Sequence, residues 1–171
     1  SGPRFTALAD LPAIPVTGVI LANELLDNLP FRVVRRDRHG WSELHAVLDD
    51  RSGVVERYVP CDAETACTYD DTLPDLAVGS EVPVPTGAIR WCRTARALLE
   101  RGRLVVFDFG ATTVELAGRA DRGWLRTFRG NERGGPPLSD LGHQDITGDV
   151  PVDQLIGAVG AAESVASQAD F

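Results

Sequence analysis

Residues 18–22, Gly-Val-Ile-Leu-Ala, form a short apolar run that breaks into Asn23, Glu24 and Asp27 and closes on Asn28-Leu29-Pro30. The run predicts a strand buried on both faces of a parallel sheet, followed by a short helical turn. Three β-like segments come next. Residues 31–37 carry Phe31, Val33 and Val34; residues 41–48 alternate through Trp41, Glu43, His45 and Val47; residues 53–59 carry Val54, Val55, Tyr58 and Val59. Turn-rich joints at 38–40 and 49–53 make these an antiparallel meander set between two α/β pieces. Residues 60–85 show little periodicity and are rich in Asp, Thr and Pro, so a loop with at most one helical turn is expected there.

Residues 86–101 give the clearest helix. Thr86 is placed as N-cap, Ala88, Ile89, Cys92, Ala95 and Leu99 recur at helical spacing, and Gly102 supplies the stop. Arg90, Arg93, Arg96 and Arg101 then read as a solvated face. The run Leu104-Val105-Val106-Phe107-Asp108-Phe109-Gly110 follows as a second buried strand tipped by an acid. Helix, glycine turn and strand make half of a βαβ unit. If both strands are parallel, Asp108 emerges at the same carboxyl edge as Asn23 and Glu24, where open α/β sheets bind ligands. Further on, residues 112–116 are ambiguous, 124–128 read as a strand, 130–137 as a flexible loop and 142–147 as a loop entering a short strand. Pro151 opens a final helix with Val152, Leu155, Ile156 and Val159 on one face until Gly160. Residues 1–17 form an approach loop with three prolines, and the last eleven residues begin another segment.

Composition narrows the function. The chain has 171 residues, 43% hydrophobic and 25% charged, in keeping with one folded domain spanning residues 1–171. Its apolar runs reach only four to five residues, against the ~20 of a membrane helix. With no signal-peptide pattern at its start, the chain reads as soluble and cytoplasmic. A net charge of −8 argues against a nucleic-acid partner. All 17 basic residues are arginine, which excludes Schiff-base lysine chemistry and a Walker P-loop. Cys61, Cys67 and Cys92 lack metal-ligand spacing, and His39, His45 and His143 are scattered, so no metal site is expected. Methionine is absent altogether, so the chain reads as part of a longer protein.

The amide of Asn23 and the carboxylates of Glu24 and Asp27 could line a site at the strand tip. They could equally cap and favour the N-terminus of a short helix. The segment 21–34, Leu-Ala-Asn-Glu-Leu-Leu-Asp-Asn-Leu-Pro-Phe-Arg-Val-Val, resembles the Asn-Glu-Leu-Leu-Asp-Ala-Leu-Pro signature of the MidA-like S-adenosylmethionine-dependent methyltransferases. That family includes the mitochondrial complex I assembly factor that methylates a protein arginine. Three further segments follow in the same order. Phe107-Asp108-Phe109-Gly110 is similar to the family's Asp-Tyr-Gly. Residues 123–128 resemble its Gly-Thr-Leu-Arg-x-Tyr, with Trp124 and Phe128 as departures, and residues 142–147 resemble its Gly-x-x-Asp-Ile-Thr.

The resemblance implies an α/β fold, part of a Rossmann-like class I methyltransferase sheet with an inserted antiparallel meander. The chain would be its central and C-terminal portion. S-adenosylmethionine is the implied cofactor, with its glycine-rich loop expected upstream of Ser1 and no G-x-G-x-x-G present here. Glu24 and Asp27 are the implied catalytic carboxylates and Asn23 orients. Gln144 and Asp145 assist at the substrate, and Asp108 and Gly110 shape the site wall. A protein substrate is expected, with the missing N-terminal half or a second copy as partner. Two other readings stay open: a non-catalytic interaction module, and a hydrolase using Asp108 or Glu24 as base, for which no G-x-S-x-G or H-E-x-x-H motif exists.

Overall fold

The computed structural model describes residues 6–73, 76–160, 164–167 and 170. The start of the approach loop and most of the segment expected after Gly160 therefore lie outside the described residues. The fold is mixed α/β. Strand β1 (Val16–Asn23) leads through a 3-10 helix (Leu26–Asn28) into β2 (Arg32–Asp37), β3 (Gly40–Asp49) and β4 (Gly53–Pro60). Helix α1 (Ala63–Thr72), β5 (Glu81–Val84), α2 (Thr86–Leu98) and β6 (Leu99–Phe107) follow. The remainder comprises β7 (Gly110–Ala111), α3 (Thr113–Ala117), a 3-10 turn (Ala120–Arg122), β8 (Leu125–Arg129), β9 (Glu132–Arg133), β10 (Asp145–Gly148), β11 (Val150–Pro151) and α4 (Val152–Val159).

Strands β1 and β6 pair in parallel, in order β1-β6, while the meander forms an antiparallel sheet in order β4-β3-β2-β5. The predicted meander is thus present, and it gains a fourth strand from the stretch expected to be loop. Two features explain that difference. Asp62 accepts a hydrogen bond from Thr65 N–H and starts α1, a ten-residue helix whose only buried residue is Tyr69. Without an apolar stripe such a helix leaves little trace in periodicity. Strand β5 carries Pro83, which is tolerated because β5 is an edge strand of the sheet.

Alternate residues of β2 face two cores. Val34 packs with Trp41, Tyr69, Leu73 and Val82, whereas Val33 packs with Leu116 and Trp124. Edge-on ring contacts join Trp41 to Tyr69 at 5.6 Å and Phe31 to Trp124 at 6.3 Å, each contributing about 1 kcal/mol beyond area burial. A third cluster, Leu26, Ala88, Cys92 and Val150, seats α2 against Leu104 and Val106 of β6.

Helix α2 ends at Leu98 and runs straight into β6, so Gly102 is a strand residue and no helix stop. It sits opposite Gly18 with φ +137°, and a Cβ there would stand 1.7 Å from the Gly18 carbonyl oxygen. Thr86 is also no N-cap. Its hydroxyl donates to Pro30 O at 3.4 Å, and the cap position is Pro85. Arg93 and Arg96 donate to the carbonyls of Ala158 and Val159 at the end of α4 and are not merely solvated. The ambiguous stretch at 112–116 is α3, closed by a capping box between Thr112 and Glu115. Strand β1 is buried on one face only: Ala22 is covered, while Val19 and Leu21 on the other face are 66% and 62% exposed.

Candidate active site

The parallel register places Asn23 opposite Phe107, so the two polar strand tips do meet at one carboxyl edge. The last rung of the ladder is Glu24 N–H to Phe107 O at 2.8 Å. Glu24 then turns into the left-handed region, φ +48°, a conformation costing about 1–3 kcal/mol in a non-glycine residue. From there the backbone N–H groups of Leu25, Leu26 and Asp27 donate to the Asp108 carboxylate at 3.1, 2.7 and 3.3 Å. The 3-10 helix has Leu25 at its N-cap position, which offers no side-chain bond. Asn23 is not the cap; Asp108 satisfies those donors from the neighbouring strand.

The three carboxylates at this edge differ in environment. Asp27 is only 5% exposed and accepts from Asn28 Nδ2 at 2.7 Å. Burial first, then the Asp108 and Glu24 charges, push its carboxyl above the ordinary carboxylate range, and Arg126 partly opposes them. Asp108 accepts from backbone N–H groups and also lies against the Asp27 carboxyl. Glu24 is exposed, and among the described residues its side chain has no hydrogen-bond or ion-pair partner. Asn23 is exposed beside it.

Gly110 opens β7, Asp145 opens β10 and Gln144 directly precedes it. Gly110 pairs with Val150, and a Cβ on it would meet Val150 O at 2.6 Å, so a bare backbone is needed where β7 and β11 touch. Gln144 spends its amide group on the carbonyls of Pro136 and Ser139, at 2.8 and 2.7 Å, bracing that loop. Asp145 is exposed at the start of β10, the strand that packs against the 3-10 helix Leu26–Asn28.

Sequence reasoning missed a buried ion-pair cluster behind the edge. Asp149, 5% exposed, pairs with both Arg119 and Arg126. The Arg126 guanidinium also lies 5.5 Å from the centre of the Phe109 ring, and Phe109 is 53% exposed. Val150 N–H donates to Phe109 O at 2.8 Å and fixes the backbone under that ring. The Arg126–Asp149 pair joins residues that no local pattern links.

Among the described residues, clefts open to solvent include two. One of about 530 Å³ lies along the seam of β4, β5 and the 3-10 turn, against Glu56, Ser80, Glu81, Arg119, Arg122 and Trp124. One of about 210 Å³ lies against Leu11, Leu29, Pro30, Gly87, Arg90 and Trp91. Neither is bounded by Asn23, Glu24 or Asp108. No helix among the described residues is long and apolar enough to cross a membrane.

Comparison with known proteins gives this edge a context. Two crystal structures from Burkholderia thailandensis match this chain. One is of a COG1565 superfamily member assigned as a methyl transferase and bound to S-adenosyl-homocysteine. It is 29% identical over 89% of this chain, with a TM-score of 0.76. The other is an uncharacterised COG1565 superfamily protein, 29% identical over 89% of this chain with a TM-score of 0.77. The chain spans 39% and 40% of the length of these two proteins. A search of curated proteins returned no match. The model of a family assigned as S-adenosyl-L-methionine-dependent methyltransferases matches residues 2–169, nearly the whole chain. The chain belongs to that S-adenosyl-L-methionine-dependent methyltransferase family.

Proposed function

We propose that this chain is the acceptor-side portion of a cytoplasmic, MidA-like S-adenosylmethionine-dependent methyltransferase with a Rossmann-like sheet, and that it methylates a protein arginine. The observation that carries the reading is Glu24: an exposed carboxylate without partners among the described residues, held in a left-handed turn at the carboxyl end of β1. An exposed carboxylate at that position can take an arginine side chain by paired, charge-assisted hydrogen bonds. Such bonds orient the guanidinium and localise electron density on the nitrogen that attacks. Asn23, exposed next to it, offers an amide to the acceptor backbone. Asp27 lies behind, too buried to reach an acceptor, and serves the site by tying Asn28 to the turn.

The cofactor is held mainly by polypeptide outside these residues. Supporting this, the solved neighbours carry more than half of their length outside the matched stretch. The outer edge of β1 has no strand beside it among the described residues, and Val19 and Leu21 are open on one face. Parallel sheets are covered on both faces. A cofactor-binding α/β segment joining β1 covers that face better than a second copy of this acidic chain does.

Two experiments test the reading. Calorimetric titration of S-adenosylmethionine should show binding to an upstream-extended protein and none to this chain; binding to neither points to an interaction module. In the complete enzyme, Glu24→Gln should lower methyl transfer to an arginine peptide by about 100-fold. Unchanged transfer would remove Glu24 from the reaction.

A further inference from the structure

The Asp108 carboxylate collects four backbone donors. Oδ2 accepts from Leu25 and Leu26 at 3.1 and 2.7 Å, and Oδ1 accepts from Asp27 and Phe109 at 3.3 and 3.0 Å. A carboxylate has about four acceptor positions, so none remains for an acceptor substrate. Its place at the strand tip nevertheless controls Glu24, whose carboxylate has no hydrogen-bond or ion-pair partner among the described residues. Glu24 is gripped from both sides by the end of β6: its own N–H by Phe107 O at 2.8 Å, and the three residues after it by Asp108. Asn28 Nδ2 closes the turn on Glu24 O at 3.2 Å.

We propose that Asp108 is a positioning residue, not a wall of the acceptor pocket. It clamps the amides of residues 25–27 and thereby holds Glu24 in the left-handed conformation that presents its carboxylate. Only the role given to Glu24 rests on the methyltransferase reading; the clamp is a property of this chain.

Amide NMR tests the clamp in the chain itself. The Leu25 and Leu26 amide protons should lie downfield and exchange slowly. Asp108→Asn keeps size but replaces one acceptor oxygen with a donor, and should move these resonances upfield and speed their exchange at least tenfold. Fast exchange of both amides in the wild-type chain overturns the proposal even if the variant fails to fold. In the complete enzyme, Asp108→Asn should lower kcat for the acceptor about tenfold with KM for the methyl donor unchanged. Added to Glu24→Gln it should cost nothing further, because it acts only through Glu24. Losses that multiply in the double variant would show an independent role and overturn the assignment. Should the enzyme prove inactive on every acceptor, the methyltransferase reading fails while the amide signature still decides the clamp.

Discussion

Gly102→Ala is the sharpest structural test of the strand pair that carries the site. A Cβ there would stand 1.7 Å from Gly18 O, whereas real Cβ contacts do not fall below 3.0 Å, so one strand must retreat by more than an ångström. The obstacle is backbone and cannot rotate away. Separation at this point forfeits two or three ladder hydrogen bonds of about 1 kcal/mol each. Forcing alanine to φ +137° adds about 1–3 kcal/mol. The expected cost is therefore about 3–6 kcal/mol, which for a chain of this size lowers Tm by roughly 6–24 °C. Gly53→Ala is the matched control. Gly53 also has positive φ, +75°, but a Cβ there meets nothing within 4 Å, so it should cost only about 1 kcal/mol. Thermal unfolding followed by circular dichroism distinguishes the two. If Gly102→Ala melts within about 2 °C of Gly53→Ala, the close approach of β1 and β6 described above is wrong.

Asp27→Asn tests the buried carboxyl. Because the fold raises its pKa, the folded chain keeps that proton at pH values where the unfolded chain has released it, and stability falls as pH rises through this window. The amide removes that loss and keeps the bond from Asn28. Asp27→Asn should therefore match wild type in acid and melt higher at neutral pH, and a difference independent of pH would refute the argument. Asp149→Ala strands two guanidinium groups, Arg126 being 17% and Arg119 37% exposed, and should cost about 2–3 kcal/mol in urea unfolding. A cost under about 0.5 kcal/mol would mean that the ion pairs are idle.

What the sequence disclosed tracks the range of the interactions involved. The β2–β4 meander follows from alternation and turns, and α4 from its apolar face after Pro151, all set within a dozen residues. Helix α1 escaped because its one buried residue, Tyr69, makes no stripe, and β5 because Pro83 hides an edge strand. Gly102 was misread because a glycine after a helical run has the same sequence signature whether it ends the helix or lets two strands touch. At the site, the meeting of Asn23-Glu24 with Asp108 was legible from two acid-tipped apolar runs. That Asp108 faces backbone was not, since three of its four donors lie more than eighty residues away. The same distance problem hid Arg126 and Asp149.

The pairing of β1 with β6 also has a consequence during synthesis. From Thr17 and Arg101 through Asn23 and Phe107, their register partners are 84 residues apart. At about 5–20 residues per second, β1 waits roughly 4–17 s on the ribosome before β6 exists. Through that interval its sequence, Val-Thr-Gly-Val-Ile-Leu-Ala-Asn, carries no charge to discourage pairing with another nascent chain. The intervening meander closes through nearby contacts and can fold as it emerges. Codon choice or temperature that slows translation between the two strands should therefore lower soluble yield more than equal slowing after β6.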